Sequence, residues 1–323
     1  MSITSLLVSA LGQGVLYAPM ALGVFVAFCI LNTPDLTVDG SFVFGMTVCA
    51  LVTVAGHPVL GILAGTLAGA LAGLITGVLQ TTFKIHPILS GILTMTGLYT
   101  VNYAVLGGQS NLYLQSMADN GSGAAVPTPS ATIYKLFGAL AGEGDGAALV
   151  LSTLITLAVG VLLAVFFKTR PGIAIRATGD NEEMVRSSSI NADASRTVGI
   201  MLANALVGLS GALLCQQQRY ADLGCGSGMM VVGLASVIIG QALFGRRGVS
   251  VAILSAVVGS VLYRIILQLA YQINMPSYTV KLLSVVIVVA ALSLPLAKGR
   301  LALARSRRAQ DAENEDEEEA AAG

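Results

Sequence analysis

The sequence predicts an all-α polytopic membrane protein with about nine transmembrane helices, within a range of eight to ten, in two inverted repeats with broken helices. The chain of 323 residues is 55% hydrophobic and only 11% charged, and its mean hydropathy is +0.81, which is outside the range of ordinary globular domains. Apolar segments of about 20 residues recur along it, long enough for a helix to cross a bilayer core of about 30 Å. Of its 34 charged residues, 21 lie in two short segments, 168–196 and 298–319.

Nine apolar segments are candidate spans. They cover residues 5–31, 37–56, 57–82, 87–107, 146–167, 193–217, 229–244, 248–272 and 278–297. Cytoplasmic loops carry an excess of Lys and Arg, so the basic segments 168–196 and 298–308 are expected in the cytoplasm. The four spans between them agree, because an even number returns the chain to the same side. This orientation puts 13 of the 17 basic residues in the cytoplasm and the N-terminus outside.

The same reasoning divides the chain into six parts. We expect a first transmembrane repeat at 1–107, an extracytoplasmic loop at 108–145, a linking helix at 146–167, a cytoplasmic segment at 168–192, a second repeat at 193–297 and a disordered cytoplasmic tail at 298–323. The loop is rich in Ser, Gly, Asn and Pro, with a short helix expected over 132–140. The tail is acidic and has no aromatic residues, which is typical of disorder.

Each half has a polar interruption before its second span, and the two have the sequences NTPDLTVDGS (32–41) and RYADLGCGSG (219–228). Breaks at corresponding places in inverted repeats indicate a substrate pathway. The candidate pathway residues are Asp35, Asp39, Ser41, Gln217 and Asp222. The three carboxylates have a second interpretation, because Asp caps helix starts in interfacial loops.

The third span carries a regular glycine pattern. Gly61, Gly65, Gly69, Gly73 and Gly77 recur at a spacing of four, which lets two helix backbones approach closely. We assign these residues to helix packing. In the eighth span, Arg264 is expected to be a charge partner or a side chain that extends to the interface rather than a substrate ligand. The four cysteines show no metal-binding spacing, so neither a metal site nor a disulfide framework is expected.

The central charged segment predicts a short helix beside the membrane. Pro171 and Gly172 are expected to end the fifth span, and a new helix is expected to begin near Gly179, with Asp180 or Asn181 as its cap. This helix ends by about Ser189 and exposes a docking face to the cytoplasm. Its candidate docking residues are Gly179, Asp180, Asn181, Glu182, Glu183, Met184, Val185, Arg186 and Ser189.

The central segment resembles a known motif. RATGDNE at 176–182, continued by Arg186 and Ser189, is similar to the cytoplasmic coupling-helix motif of the ATP-binding-cassette (ABC) importer permeases for branched-chain amino acids, ribose and related solutes. GLASVIIGQALFGRRGVSVAILSAVVGSVL also resembles that family, and TPDLTVDGSFVFGMTVCAL resembles a subgroup associated with aromatic amino-acid uptake. The resemblance spans about residues 15–295. One departure is Ser189, where the family usually has Gly.

The resemblance implies a permease subunit in a bacterial inner membrane that moves a small polar solute, an amino acid and in this subgroup an aromatic one. It implies two separate ATPase subunits that bind ATP and magnesium, a second and identical permease subunit, an extracytoplasmic substrate-binding protein and surrounding lipid, with no nucleic acid. The chain is not expected to be an enzyme or to hold a cofactor. It contains no Gly-x-x-x-x-Gly-Lys-Ser/Thr phosphate loop, which agrees with this.

Two other classes remain open from the residues alone. A proton- or sodium-coupled secondary transporter would also have inverted repeats and broken helices, with Asp35, Asp39 or Asp222 as coupling carboxylates. It would give no reason for the coupling-helix motif. A membrane enzyme that holds magnesium diphosphate on Asp35 and Asp39 would need a second acidic cluster on another helix, and none is evident in the sequence.

Overall fold

The structure is a computed structural model that describes residues 3–119, 125–141, 145–245 and 248–272 and a few positions between 282 and 293. Its helices are α1 (Ile3–Phe25, continued by a π-helical turn at Val26–Ile30), α2 (Thr37–Val54), α3 (Pro58–Thr81), α4 (Pro87–Val105), α5 (Ile133–Ala141), α6 (Asp145–Phe166), α7 (Arg170–Asp180), α8 (Glu182–Ser187), α9 (Ala192–Gln218), α10 (Met229–Phe244) and α11 (Val249–Gln272). A 3-10 turn covers Leu223–Gly226. The short strands are β1 (Asn111–Tyr113), β2 (Gln115–Asp119), β3 (Ala125–Pro129) and β4 (Tyr220–Asp222).

Eight helical segments in the described part are long and apolar enough to cross a membrane, which confirms the all-α polytopic fold class. They are Leu7–Ile30, Thr37–Val54, Pro58–Thr81, Pro87–Val105, Ala148–Phe166, Ala192–Gln218, Leu223–Phe244 and Val249–Ala270. They correspond in order to the first eight predicted spans. The predicted ninth span at 278–297 falls mostly outside the described residues, and the tail at 298–323 lies outside them entirely. The count of nine and the inverted orientation of the two halves stay predictions.

The centre of the bundle is the contact of α2, α3 and α9, and the predicted glycine face makes it possible. All five glycines of that pattern lie on the buried side of α3, while leucines such as Leu63 and Leu67 are exposed on its other side. A Cβ atom added at Gly69 would meet the carbonyl oxygen of Asn204 and the Cα atom of Gly208 on α9. The helix backbones therefore touch, as a small-xxx-small face requires.

Helix pairs recur between the two halves. Helix α3 packs along α9, and α11 packs along α1. Helix α2 contacts α3 and α9, and α10 contacts α11 and α1 in the same way. Exchanging α1 with α9, α2 with α10 and α3 with α11 converts one set of contacts into the other. This pattern is what two related halves would give.

The extracytoplasmic loop of the predicted topology is attached to the bundle at two places. Strand β1 pairs antiparallel with β4, and Asn111 lies opposite Asp222. Helix α5, close to the predicted 132–140, is attached by Tyr134, whose hydroxyl oxygen accepts a hydrogen bond of 3.2 Å from Ser152 Oγ on α6. Burial raises the pKa of Tyr134 to about 12. The loop thus contacts the second break directly.

The central segment is more helical than its sequence indicated. We expected residues 168–172 only to end the fifth span, but Pro171 lies in the first turn of α7, where a missing N–H costs nothing. Gly179 itself lies in the last turn of α7, and the predicted cap at Asp180 or Asn181 is confirmed for Asn181. The new helix, α8, begins at Glu182, and Asn181 is its cap: Asn181 Oδ1 accepts from Met184 N at 3.0 Å.

We predict that Gly69→Leu destabilises the bundle, because its side chain would collide with the α9 backbone. Overpacking of this kind costs about 1–3 kcal/mol or more. The control is Gly97→Leu on α4, where an added Cβ has no atom within 4 Å. The measurement is the thermal unfolding midpoint of the purified protein in detergent. Equal midpoints for the two variants would contradict the close contact of α3 and α9.

Candidate functional site

Helix α2 lies alongside α9 in the same direction, and this fixes the depth of the first break. Three polar contacts join residues 163 positions apart: Ser41 Oγ with Asn204 Oδ1 (2.7 Å), Cys49 Sγ with Ala212 O (3.6 Å) and Thr53 Oγ1 with Gln216 Nε2 (3.2 Å). By this offset Thr37, the first residue of α2, lies beside Ile200, about two turns into α9. Helix α2 therefore begins inside the bundle and not at its surface.

The first break contains a buried polar cluster around Asp35. Its side chain is 2% exposed. Asp35 Oδ1 accepts from Thr37 N at 2.9 Å, and Oδ2 accepts from Asn204 Nδ2 at 2.6 Å. The hydroxyl groups of Thr37 and Thr76 are 2.8 Å apart, and Ser41 donates to Asn204. The cluster supplies hydrogen bonds to a helix start that water cannot reach.

The second break repeats the local geometry of the first. Asp222 Oδ1 accepts from Gly224 N at 2.8 Å, the same i to i+2 bond that Asp35 makes. Three residues before each Asp stands a residue other than Gly in the left-handed region, Asn32 with φ 51° and Arg219 with φ 64°. A non-Gly residue with positive φ is uncommon. The recurrence of the pair supports a shared origin for the two breaks.

Asp39 joins the starts of α2 and α10. It lies in the first turn of α2, yet its carboxylate accepts from Gly228 N at 2.9 Å and from Met230 N at 2.8 Å. It therefore caps a helix of the other half. Together with the bonds of Asp35 and Asp222, this is the geometry that the capping interpretation expects. A pathway role for these carboxylates stays a prediction.

A cavity of about 500 Å³ lies beside both breaks. It extends from the second break to the start of α2 and is bordered by α4. Its lining includes Asp39, Tyr99, Asn102, Asp222 and Ser227. Two of the five predicted pathway residues, Asp39 and Asp222, thus share one cavity that combines carboxylates, an amide and an aromatic ring. On the same border, α4 leaves Thr96, Tyr99 and Thr100 exposed.

The other predicted pathway residues lie elsewhere. Asp35 and Ser41 are buried in the polar cluster, while Gln217 is exposed and lines a separate cavity of about 170 Å³. Its neighbour Gln216, which we did not single out, is the buried one. Gln216 Nε2 donates to Pro58 O at 2.6 Å, and Oε1 accepts from Ile133 N at 2.8 Å. No signal in the sequence distinguishes it from Gln217, because the two are adjacent and of one type.

Helix α8 is held against the membrane domain by a network of ion pairs. Arg186 bonds Glu182 and Asp193, each at 2.7 Å. Asp193 pairs with Lys84 at 3.2 Å, and Arg196 pairs with Glu182 at 2.7 Å. The hydrogen bond to Glu182 is the largest cause that raises the pKa of Arg186, and the hydrogen bond to Asp193 is the second. The network ties α8 to the start of α9 and to the loop between α3 and α4.

The side chains of α8 divide into an inward and an outward set. Val185 is 1% exposed, whereas Met184 is 52% exposed and Glu183 is also exposed. Asp180 at the end of α7 is exposed as well. Ser189 has φ 60°, a conformation that glycine adopts without strain. The usual Gly at this position in the resembled family is therefore explained by the backbone.

Helix α7 touches the first break through Gly179. Its Cα faces the carbonyl oxygen of Ile30, and no Cβ atom would fit between them. Ile30 ends the π-helical turn after α1, in which Leu31 N donates to Val26 O at 3.0 Å. The chain continues from this turn directly into the break that holds Asp35. The segment of α7 and α8 and the start of the first break are therefore in backbone contact.

Arg264 makes an aromatic contact within the bundle. Its guanidinium carbon lies 3.4 Å from the ring centroid of Tyr17, and Tyr17 stacks on Phe42 with centroids 6.0 Å apart. No ion pair joins Arg264 to a carboxylate within the described ranges. A cation over an aromatic face is stabilised when both are desolvated. The described residues also contain no group of three His, Cys, Asp or Glu side chains that could hold a metal ion.

We predict that Asp39→Ala lowers stability, because it leaves Gly228 N and Met230 N without their acceptor. Loss of a helix cap costs about 0.5–2 kcal/mol, and Asp39→Asn, which keeps one acceptor oxygen, should lose less. Asp180→Ala removes an exposed carboxylate and is the control. The thermal unfolding midpoint in detergent is measured for each of the three variants and gives the order of their stabilities. A midpoint for Asp39→Ala equal to that of Asp180→Ala would refute the capping role.

Known proteins resemble the chain over most of its length. Residues 6–292 match the family described as "Branched-chain amino acid transport system / permease component". The chain is 33% identical over 288 residues to a tyrosine transport system permease protein of Clostridioides difficile (strain R20291), covering 89% of this chain and 90% of that protein. It is 27% identical over 296 residues to an uncharacterised protein of Rickettsia prowazekii (strain Madrid E), covering 90% and 97%. No solved structure matches it.

The broken helices, the capped helix α8 and this match over nearly the whole chain lead to one conclusion. The chain belongs to the family of branched-chain amino-acid transport system permease components, and it is a multi-pass membrane transporter component.

Proposed function

We propose that this chain is the permease subunit of an ABC importer that carries an amino acid across the bacterial cytoplasmic membrane, with tyrosine as the first candidate. The observation that carries the proposal is the 33% identity to a tyrosine transport system permease over 89% of the chain. A permease of this kind receives its solute from an extracytoplasmic binding protein. ATP and magnesium would bind to separate ATPase subunits, and the permease would not hydrolyse ATP.

The cavity beside the two breaks is the proposed entrance to the pathway. Asp39 and Asp222 line it, and a carboxylate there can attract the ammonium group of an amino acid. Tyr99 offers an aromatic surface against which a planar side chain can stack. The exposed face of α4 that borders the cavity is the proposed contact with a second permease subunit. An identical second subunit would close the cavity on this side.

Helix α8 is the proposed docking site for an ATPase subunit. Met184 and Glu183 are exposed on it, and the ion pairs of Arg186 hold it in place. Movement of an ATPase would displace α8 and α7 together, since only Asn181 separates them. Gly179 would then press on Ile30 and move the first break. The proposal gives each of these residues a part in coupling, and Arg186 acts as a positioning residue.

The proposed transport function predicts uptake that depends on ATP. The permease, its ATPase and its binding protein, reconstituted together in vesicles, should accumulate tyrosine when ATP is present on the cytoplasmic side. Replacing ATP by a non-hydrolysable analogue is the control and should abolish uptake. If the chain is instead a secondary transporter, the permease alone should move tyrosine under a proton or sodium gradient. Such uptake would overturn the importer assignment.

The proposed docking site predicts that Met184→Asp weakens association with the ATPase about tenfold or more, because a charge replaces an exposed apolar side chain at an interface. Leu136→Asp on α5 is a matched control: Leu136 is 53% exposed, and the predicted orientation places it on the other side of the membrane. The amount of ATPase that copurifies with the permease measures the association for both variants. Equal loss in the two variants, or no loss in either, would contradict docking on α8.

A further inference from the structure

A narrow groove separates α6 from α11 and encloses about 240 Å³. Its wall on α6 includes Thr153, Thr156, Gly160 and Ala164, and its wall on α11 includes Ile253 and Val257. Both threonines are internally bonded: Thr156 Oγ1 donates to Val15 O at 3.0 Å, and Thr153 Oγ1 donates to Leu149 O at 2.7 Å. With these hydroxyl donors already bonded, the groove favours an apolar occupant.

The shape of the groove depends on Gly160. A Cβ atom on this residue would meet only Ile253 Cγ2, 3.8 Å away, so a larger side chain could enter the groove without a backbone collision. The groove residues of α6 extend from 153 to 164, which is about 17 Å along the helix axis. Both walls belong to candidate spans. The groove therefore lies at the depth of the lipid acyl chains.

The described residues after α11 do not fill this groove. Leu283 and Ile287 pack with Tyr263 and Leu267. Neither Tyr263 nor Leu267 lines the groove. Among the described residues, α1, α6 and α11 alone line the groove. Helix α6 itself is mostly exposed, with Leu157 and Val161 among its exposed apolar residues.

Two basic residues, Lys168 and Arg170, follow the last groove residue of α6, Ala164, in the chain. Lys168 lies two residues beyond the end of α6 and four after Ala164, and Arg170 begins α7. Both are exposed, and neither forms an ion pair with any residue in the described part of the chain. The predicted orientation puts this end at the cytoplasmic surface, where anionic lipid headgroups attract Lys and Arg.

We infer that the groove between α6 and α11 binds an acyl chain of an anionic phospholipid of the cytoplasmic leaflet, with its phosphate on Lys168 and Arg170. The acyl chain covers apolar surface that the described helices leave open, and the phosphate neutralises two charges that no carboxylate of the described residues neutralises. Basic pockets between transmembrane helices recognise anionic headgroups in this way. The inference rests on the membrane fold and its orientation and is independent of the transported solute.

The test measures lipid binding to the full-length protein by native mass spectrometry in detergent, with phosphatidylglycerol and phosphatidylcholine of equal chain length. We expect phosphatidylglycerol to bind more tightly. The double variant Lys168→Gln/Arg170→Gln should remove most of this preference, about fivefold for each cation. Gly160→Phe should weaken the binding of both lipids, because its ring occupies the groove. The smaller Gly160→Val serves if the phenylalanine variant does not fold.

Two matched variants control for charge and for bulk. Arg176→Gln removes an exposed cation of α7 that does not line the groove. Leu162→Phe adds a ring at a residue of α6 that is 69% exposed and lies outside the groove lining. Both should bind phosphatidylglycerol as the unchanged protein does. The inference is overturned if Gly160→Phe and Leu162→Phe bind equally well, or if the preference for phosphatidylglycerol survives removal of Lys168 and Arg170. Equal effects of Arg176→Gln and the double variant would also overturn it.

Discussion

Helix α2 begins inside the bundle, and the need to hydrogen-bond its first N–H groups determines much of the rest. A free N–H group away from water costs several kcal/mol in a membrane. Asp35 accepts an N–H group at the start of α2, and Asp39 accepts two at the start of α10. Asp35 in turn requires a donor from a third helix, and Asn204 on α9 supplies it. The carboxylates at membrane depth are thus explained before any contact with a solute is invoked.

This constraint also explains why small residues gather where they do. A polar contact between Ser41 and Asn204 can form at 2.7 Å only if α2 and α9 lie close together. Gly45 on α2 faces Gly208 on α9 one turn further along, so no side chain separates the backbones there. Gly69 brings α3 against the same turn of α9. The glycines and the polar cluster are therefore parts of one arrangement, in which close packing gives each capping group its partner.

The sequence predicts the fold class, eight of the spans, both breaks and the glycine face, because each leaves a periodic or compositional pattern. It does not predict partners that lie far apart in the chain. Nothing near Asp39 indicates that it caps a helix 190 residues later, and Gln216 is indistinguishable in type from the exposed Gln217. Helix α7 was missed because Pro171 and Gly172 favour an end as readily as a start. Proline fits the first turn of a helix, and Gly172 allows close contact with the carbonyl of Phe166.

The same geometry shows how a displacement of α7 could reach the buried start of α2. A contact with no space for a Cβ atom cannot be compressed, so a movement of Gly179 toward Ile30 would displace Ile30. The π-helical turn before Ile30 is a local departure from α-helical bonding, and such turns are often found at functional sites. Asn32, with φ 51°, follows it at once. A displacement of α7 would therefore act on the few residues between the π turn and Asp35.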